Sequence, residues 1–385
     1  MSSMTWRRRA LRLGGSAAMA AVVTATVPAA ICRSGADEWR TDDPAAQLAL
    51  AAGVSHWTER ELEAASFTTG DALFDAEWLF GTYMMAAMGY GQLAAQRPEG
   101  DPVRAQMLTR MDHCLGRLGE PDVAAFDTGK WGRAALDDLD GDAGHAAYLG
   151  YYGLALTFRS GLGAHPLASR AEAVADALAR RLAQEDVIET YPGERYPVDN
   201  AAGVAAVALK AQNRHHARPH VVARWLEVMD ERFVDPTSGL LVQSVRADGT
   251  RLDVPRGSGT ALASYFLSFV DAARSRALYE AAMASLGDRV LGFGALREYP
   301  DGGRTGDGDI DSGPLIAGFS IAATGFALAG AKRFGDEATF ASLWATARLF
   351  GAPRRRDNAL HFATGGPLGD AILFAMLTAR RDEDP

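Results

Sequence analysis

The residues of this chain best suited to chemistry are carboxylates, tyrosines and one histidine, gathered in six short stretches. The first holds Asp71, Asp75, Glu77 and Trp78. The second runs Asp138-Leu139-Asp140-Gly141-Asp142-Ala143-Gly144-His145, with Tyr148, Tyr151 and Tyr152 just beyond. The third is Tyr191-Pro192-Gly193-Glu194-Arg195-Tyr196-Pro197-Val198-Asp199-Asn200, and the fourth runs from Asp253 through Arg256 to Thr260. The fifth contains Asp309 and Asp311, and the last His361 and Asp370. Acids set beside tyrosines suit proton transfer on a neutral, hydroxylated substrate. Two acids in different surroundings can be driven to different pKa values and so divide the donor and acceptor roles. The expected catalytic residues are Asp309 or Asp311 as acid, Asp199 as base, and His145. Tyr148, Tyr191, Tyr196, Asn200, Asp142, Trp78, Trp131 and Arg256 are expected to bind the substrate. A single Asp at a helix start also has a plainer role, capping free N–H groups. It is the recurrence of acids that points to a site.

Other chemistries find no support in the spacing. The Asp307–Asp311 string resembles part of a calcium loop but lacks the closing glutamate of a twelve-residue loop. His215, His216 and His220 lack the HExxH spacing. There is no GxSxG elbow, and no glycine-rich stretch lies between a strand and a helix as a nucleotide site needs. Two cysteines cannot make a disulfide framework or a cysteine-based metal site. No cofactor and no metal are therefore expected. A net charge of −9 argues against nucleic-acid binding, which needs clustered Lys and Arg.

The elements that must position these residues read as helices. Almost no period-2 alternation occurs after Asp75, whereas helical spacing recurs near 46–66, 75–97, 102–118, 143–159, 166–185, 199–215, 218–234, 257–274, 275–288, 312–333, 335–350 and 366–381. Short turns such as Arg97–Gly100 and Phe334-Gly335 join the members of a pair. Long Gly/Pro/Asp-rich connections (119–142, 186–198, 235–256, 289–311, 351–365) join one pair to the next. The first helix of a pair is nearly uncharged, and the second is charged and amphipathic. A helix apolar all round is buried, while an amphipathic one has a wet face. The expected architecture is all-α, an (α/α)6 toroid of six hairpins with the long connections at one rim, where function is expected.

The chain opens with Arg7-Arg8-Arg9 and Arg12, then an apolar stretch from Leu13 to about Ala30, the pattern of a twin-arginine-like signal peptide over 1–30. A flexible mature N-terminus over 31–45, one domain over 46–381 and a 382–385 tail are expected to follow. The mature protein is read as extracytoplasmic, periplasmic or secreted, with no membrane span. Lipid attachment at Cys32 is a minor alternative, since Ile31 makes a poor lipobox.

With the helices laid out, the chain resembles the linalool dehydratase/isomerase family of the six-hairpin glycosidase-like enzymes. The matching stretches are Gly144-His145 with the Tyr148–Leu156 run, the Tyr191–Asn200 loop, Arg232–Leu240, Ala323–Asp336 and Gly366–Phe374. The resemblance implies an (α/α)6 barrel and an exported, cofactor-free enzyme that adds or removes water at a terpene alcohol. The histidine after glycine is retained as His145. The family's two cysteines would fall near Tyr191 and Asn200, where this chain has none. Asp199, Asp309 and Asp311 would then carry proton transfer instead, as paired carboxylates do in the related glycosidases.

Three functions compete on this reading. The first is a cofactor-independent hydrolase or lyase acting on a hydroxylated small molecule or glycan. The second is a hydro-lyase/isomerase acting on a terpenoid or allylic alcohol. The third is a non-catalytic envelope protein that binds glycan or lipid. Substrate identity, homo-oligomerisation and whether the 1–30 segment is removed are left open by the sequence.

Overall fold

The computed structural model describes residues 27–60, 62–300, 308–309 and 311–382. The signal segment before Val27, Arg304–Asp307 of the fifth connection and the end of the tail lie outside them.

The described chain is mostly helical. A helical stretch over 27–33 is followed by α1 (Ala36–Arg40), α2 (Pro44–Thr58), α3 (Ala72–Ala95), α4 (Pro102–Leu118), α5 (Ala125–Trp131), α6 (Ala146–Ser160) and α7 (Ala168–Gln184). Then come α8 (Pro197–Asn213), α9 (His220–Val228), α10 (Gly257–Leu267), α11 (Ala272–Leu286), α12 (Ile321–Arg333), α13 (Glu337–Gly351) and α14 (Gly366–Leu377). Starts are set by short polar side chains. Asp71, Asp101, Asp271, Ser320 and Asp336 each accept a hydrogen bond from a first-turn N–H, and Pro197 occupies the first turn of α8.

Burial follows the composition. Thirteen of the seventeen residues of α8 are buried, against seven of seventeen in α7, whose charged face meets water. α3 packs on α6 and α14; α8 packs on α6 and α10; α12 packs on α10 and α14. Helices with a charged face lie outside these: α4 on α3, α7 on α6 and α8, α11 on α10 and α13 on α12; α2, which carries no Asp, Glu, Lys or Arg, packs on α14 and α3. Small residues allow the closest approaches. A Cβ at Gly150 of α6 would stand 2.7 Å from the Asp199 carbonyl oxygen of α8.

Three expectations are corrected. The helix read from 312 begins only at Ile321. Before it, β1 (Gly287–Val290), β2 (Phe293–Arg297), β3 (Leu315–Ile316) and β4 (Phe319–Ser320) form an antiparallel sheet in the order β1-β2-β4-β3. Left-handed turns at Leu291-Gly292 and Ala317-Gly318 make these hairpins, and a short strand has no room to show alternation. A second hairpin, β5 (Pro353–Arg356) with β6 (Ala359–Phe362), fills part of the last connection. The segment expected to be flexible over 31–45 is instead docked. Trp39 is buried against Trp344 with ring centroids 5.7 Å apart, and fully buried Lys332 donates to Asp42 at 2.6 Å.

Candidate active site

The starts of two buried helices, α3 and α8, and the connection before α12 supply three electrostatically coupled carboxylates. Asp199 lies in the first turn of α8, where its Oδ1 accepts the Tyr151 hydroxyl of α6 at 2.7 Å. Its Oδ2 accepts the Thr190 hydroxyl at 2.7 Å. Glu77 lies one turn into α3 and accepts a short hydrogen bond from the Tyr191 hydroxyl. Asp311, an exposed residue, accepts from the Gln243 amide at 3.0 Å. Burial raises the Asp199 carboxyl to about 6 against the two hydrogen bonds that favour its charged form. Burial, and then the charge of Asp199, raise Glu77 to about 7, opposed by Tyr191 and Lys130. Asp311 is raised to about 7 by its surroundings and then by the charges of Asp309, Asp199 and Glu77, while Arg256 pulls the other way. These mutual effects mark one cluster, so its protons belong to the group rather than to single residues.

Tyrosines line it. Tyr151, Tyr191 and Tyr196 are all pushed far above the usual phenol range, by burial first and then by the neighbouring carboxylates, so each stays a neutral donor. Tyr196 donates to Glu194 at 2.7 Å and feels the charges of Asp199 and Asp311. Lys130 stands 5.0 Å from the Tyr191 ring centroid.

Asp309, expected as the acid, has a different role. Burial alone would raise it, but the Arg256 guanidinium grips both its oxygens, one at 2.6 Å, and holds the carboxyl below its usual range. Arg256, expected to bind substrate, is itself consumed: its Nε donates to the fully buried Glu298 at 2.8 Å, which also accepts the Ser258 hydroxyl at 2.6 Å. The Glu298–Arg256–Asp309 chain fixes the 309–312 turn, whose Ser312 hydroxyl accepts from the Asp309 N–H at 2.9 Å. Asp309 is thus held in an ion pair with Arg256, and its Oδ1 accepts the Asp311 N–H at 3.1 Å.

His145 does not enter the cluster. It caps α6 in left-handed backbone at φ 52°, fully buried, with Nδ1 on Asp127 at 2.6 Å and Nε2 3.6 Å from Asp138. Gly144 precedes it because a Cβ there would meet the Glu189 carbonyl at 2.1 Å. Trp131 packs on the His145 ring, centroids 4.7 Å apart, and its Nε1 donates to the Thr190 carbonyl at 3.2 Å. Both residues buttress the strand of chain that carries Thr190 and Tyr191. They stand behind the cluster rather than in it.

Three more expected binders are elsewhere. Tyr148 is buried among Phe80, Phe126 and Tyr152 and donates to the Leu118 carbonyl at 2.7 Å. Asn200 is fully buried, tying the Ile188 N–H and carbonyl oxygen at 2.8 and 3.0 Å. Exposed Asp142 borders a crevice of about 20 Å³ with Arg181 and Glu189, room for one water. Trp78 is half-buried at the start of α3, one residue from Glu77, with its ring edge-on to Phe67.

Thr190, Gln243 and Glu298 join these residues without any signal in the sequence, while Glu77 and Tyr151 stand in the acid- and tyrosine-rich stretches but have no role assigned to them there. Glu77 carried a signal: with Asp75 it is one of two charges in the otherwise uncharged helix Ala72–Ala95. Among the described residues, no group of three or more His, Cys, Asp or Glu is arranged to hold a metal ion. Comparison with known proteins finds no matching family model and no matching curated relative.

Proposed function

We propose that this chain is an enzyme that moves protons with Asp311, Asp199 and Glu77 at the mouth of an (α/α)6 toroid, on a neutral hydroxylated substrate. The ring is supported by the packing order α3–α6–α8–α10–α12–α14–α3, which returns to its start, with charged helices outside. The observation that carries the activity is the cluster itself: three carboxyls raised to about 6 to 7 that feel one another's charge, with neutral tyrosine donors beside them. Near neutral pH, Asp199 is the group most ready to accept a proton, and Asp311, open to the mouth, retains one to give. Asp311 would protonate the oxygen of the breaking C–O bond while Asp199 takes a proton from water or from the neighbouring carbon. The first outcome is hydrolysis and the second is loss of water. Glu77, tied to Tyr191, shares the cluster's proton and holds the net charge down.

A hydrolase on a glycan-like substrate is the leading reading. A hydro-lyase on an allylic alcohol, as the linalool dehydratase/isomerase resemblance implies, is favoured by the apolar rings of Phe80 and Phe266 against Tyr151. Export from the cytoplasm, inferred from the arginine-led apolar start, belongs to either reading.

The test pairs Asp199→Asn and Asp311→Asn with a panel of aryl glycosides, linalool, geraniol and myrcene, products being followed by chromatography. Each substitution should cost at least ~100-fold in turnover with helicity unchanged. Full activity in both variants would overturn the assignment. Binding without turnover, unaffected by either substitution, would leave the non-catalytic envelope protein in its place.

A further inference from the structure

We propose that the face built by the 27–33 stretch, the β1–β2 turn and the C-terminal end of α13 docks on the surface of an anionic lipid bilayer. Six large apolar side chains stand exposed there: Val27, Ile31, Val290, Leu291, Leu349 and Phe350, with Ile31 and Leu291 at 60% and 61%. Isolated exposed apolar residues need no explanation, but a contiguous group does. Contiguity is shown by the hydrogen bonds between the segments. Arg33 donates to the Gly292 carbonyl at 2.8 Å, and Arg348 to the Ile31 carbonyl at 3.1 Å. The Gly292 backbone also comes so close that an added Cβ would lie 3.0 Å from that of Ala29.

Leu291 adds an independent observation. It occupies left-handed backbone at φ 52°, where glycine or asparagine would sit without strain, and it holds a bare leucine at the apex of the turn. Folding alone gives no reason for that choice.

Charge selects the occupant. Residues 27–38, 287–292 and 348–357 carry six arginines against four carboxylates, in a chain whose net charge is −9. Arg354, Arg355 and Arg356 are all exposed on β5, directly after Phe350. An apolar patch rimmed by arginines matches the boundary between acyl chains and anionic headgroups. Chain continuity points the same way, because the basic and apolar run from Arg7 to Ala30 leads straight into the 27–33 stretch. The β1–β2 turn also belongs to the connection that leads into α12 and carries Asp311, while Leu349 and Phe350 end α13 just before the connection into α14.

The test is hydrogen exchange on the full chain with and without vesicles. With mixed phosphatidylcholine–phosphatidylglycerol vesicles, amides of 288–293 and 348–352 should gain protection. Pure phosphatidylcholine should bind at least ~10-fold more weakly. Leu291→Asn with Phe350→Ser should abolish that protection and weaken binding about tenfold. Asparagine accepts left-handed backbone, so the thermal midpoint should hold. Protection confined to residues before 27 would show that only the N-terminal segment meets lipid, and would overturn the proposal. So would protection of the same amides without vesicles that grows with protein concentration, which would make a second copy the occupant.

Discussion

Glu77 is a carboxyl kept from ionising by the protein around it, so folding and proton release oppose each other at this residue. Glu77, Asp199 and Asp311 all titrate above their ordinary values, and between about pH 4 and 7 the folded chain holds protons that the unfolded chain has lost. Stability from these groups is therefore present at low pH, falls as pH rises through that window, and levels off above about 7. Glu77→Gln keeps an oxygen for Tyr191 and removes the charge. It should match the parent protein near pH 4 and exceed it at pH 8 by on the order of 2 kcal/mol. Thermal midpoints across that range check this, and two parallel curves would refute it. At this scale the sequence was half legible. Asp199, Asp311, Tyr191 and Tyr196 are recognisable because acids and tyrosines recur at helix starts. His145 and Asp309 turn out to be paired, with Asp127 and Arg256, and no sequence pattern tells a paired side chain from a free one. Their partners, Asp127 and Arg256, lie 18 and 53 residues away.

Helix α6 shows how an element aims the residues above it. Gly150 lets its backbone lie against α8 beside Asp199, while Tyr151, the next residue, turns its hydroxyl to the Asp199 carboxylate. Gly150→Ala should push α6 from α8, lower stability by roughly 1–3 kcal/mol and weaken the Tyr151–Asp199 contact. A drop in denaturant midpoint together with an altered Asp199 pKa, read by carboxyl-labelled NMR, would bear this out. An unchanged pKa would show that the close approach only packs. The helical character of the chain is readable from the sequence, because burial differences between helices such as α7 and α8 are written in charge content. The hairpins are not. Strands of two to five residues leave no periodic trace, and their positions depend on left-handed turns at Leu291, Ala317, Asp357 and Asn358.

Across the whole molecule, the earliest long helix closes on the latest. Trp57 of α2 donates to buried Asp370 of α14 at 2.7 Å, and the same carboxylate takes His361 Nδ1 at 2.9 Å and the Phe362 N–H at 2.7 Å. Trp57→Phe leaves that carboxylate one donor short and should cost about 1–3 kcal/mol, read as a lower midpoint of a single cooperative unfolding transition. A separate early transition would instead show that α2 melts alone. Lys332 reinforces the seam by reaching both Asp42 and the Leu377 carbonyl. The seam also sets the timing of folding. Trp57 and Asp370 are 313 positions apart in the chain, so α2 can pack on α3 early but meets α14 only when nearly all of the chain has left the ribosome. Until then the side of α2 that faces α14 stays uncovered, and the contact that closes the seam is among the last that the growing chain can make.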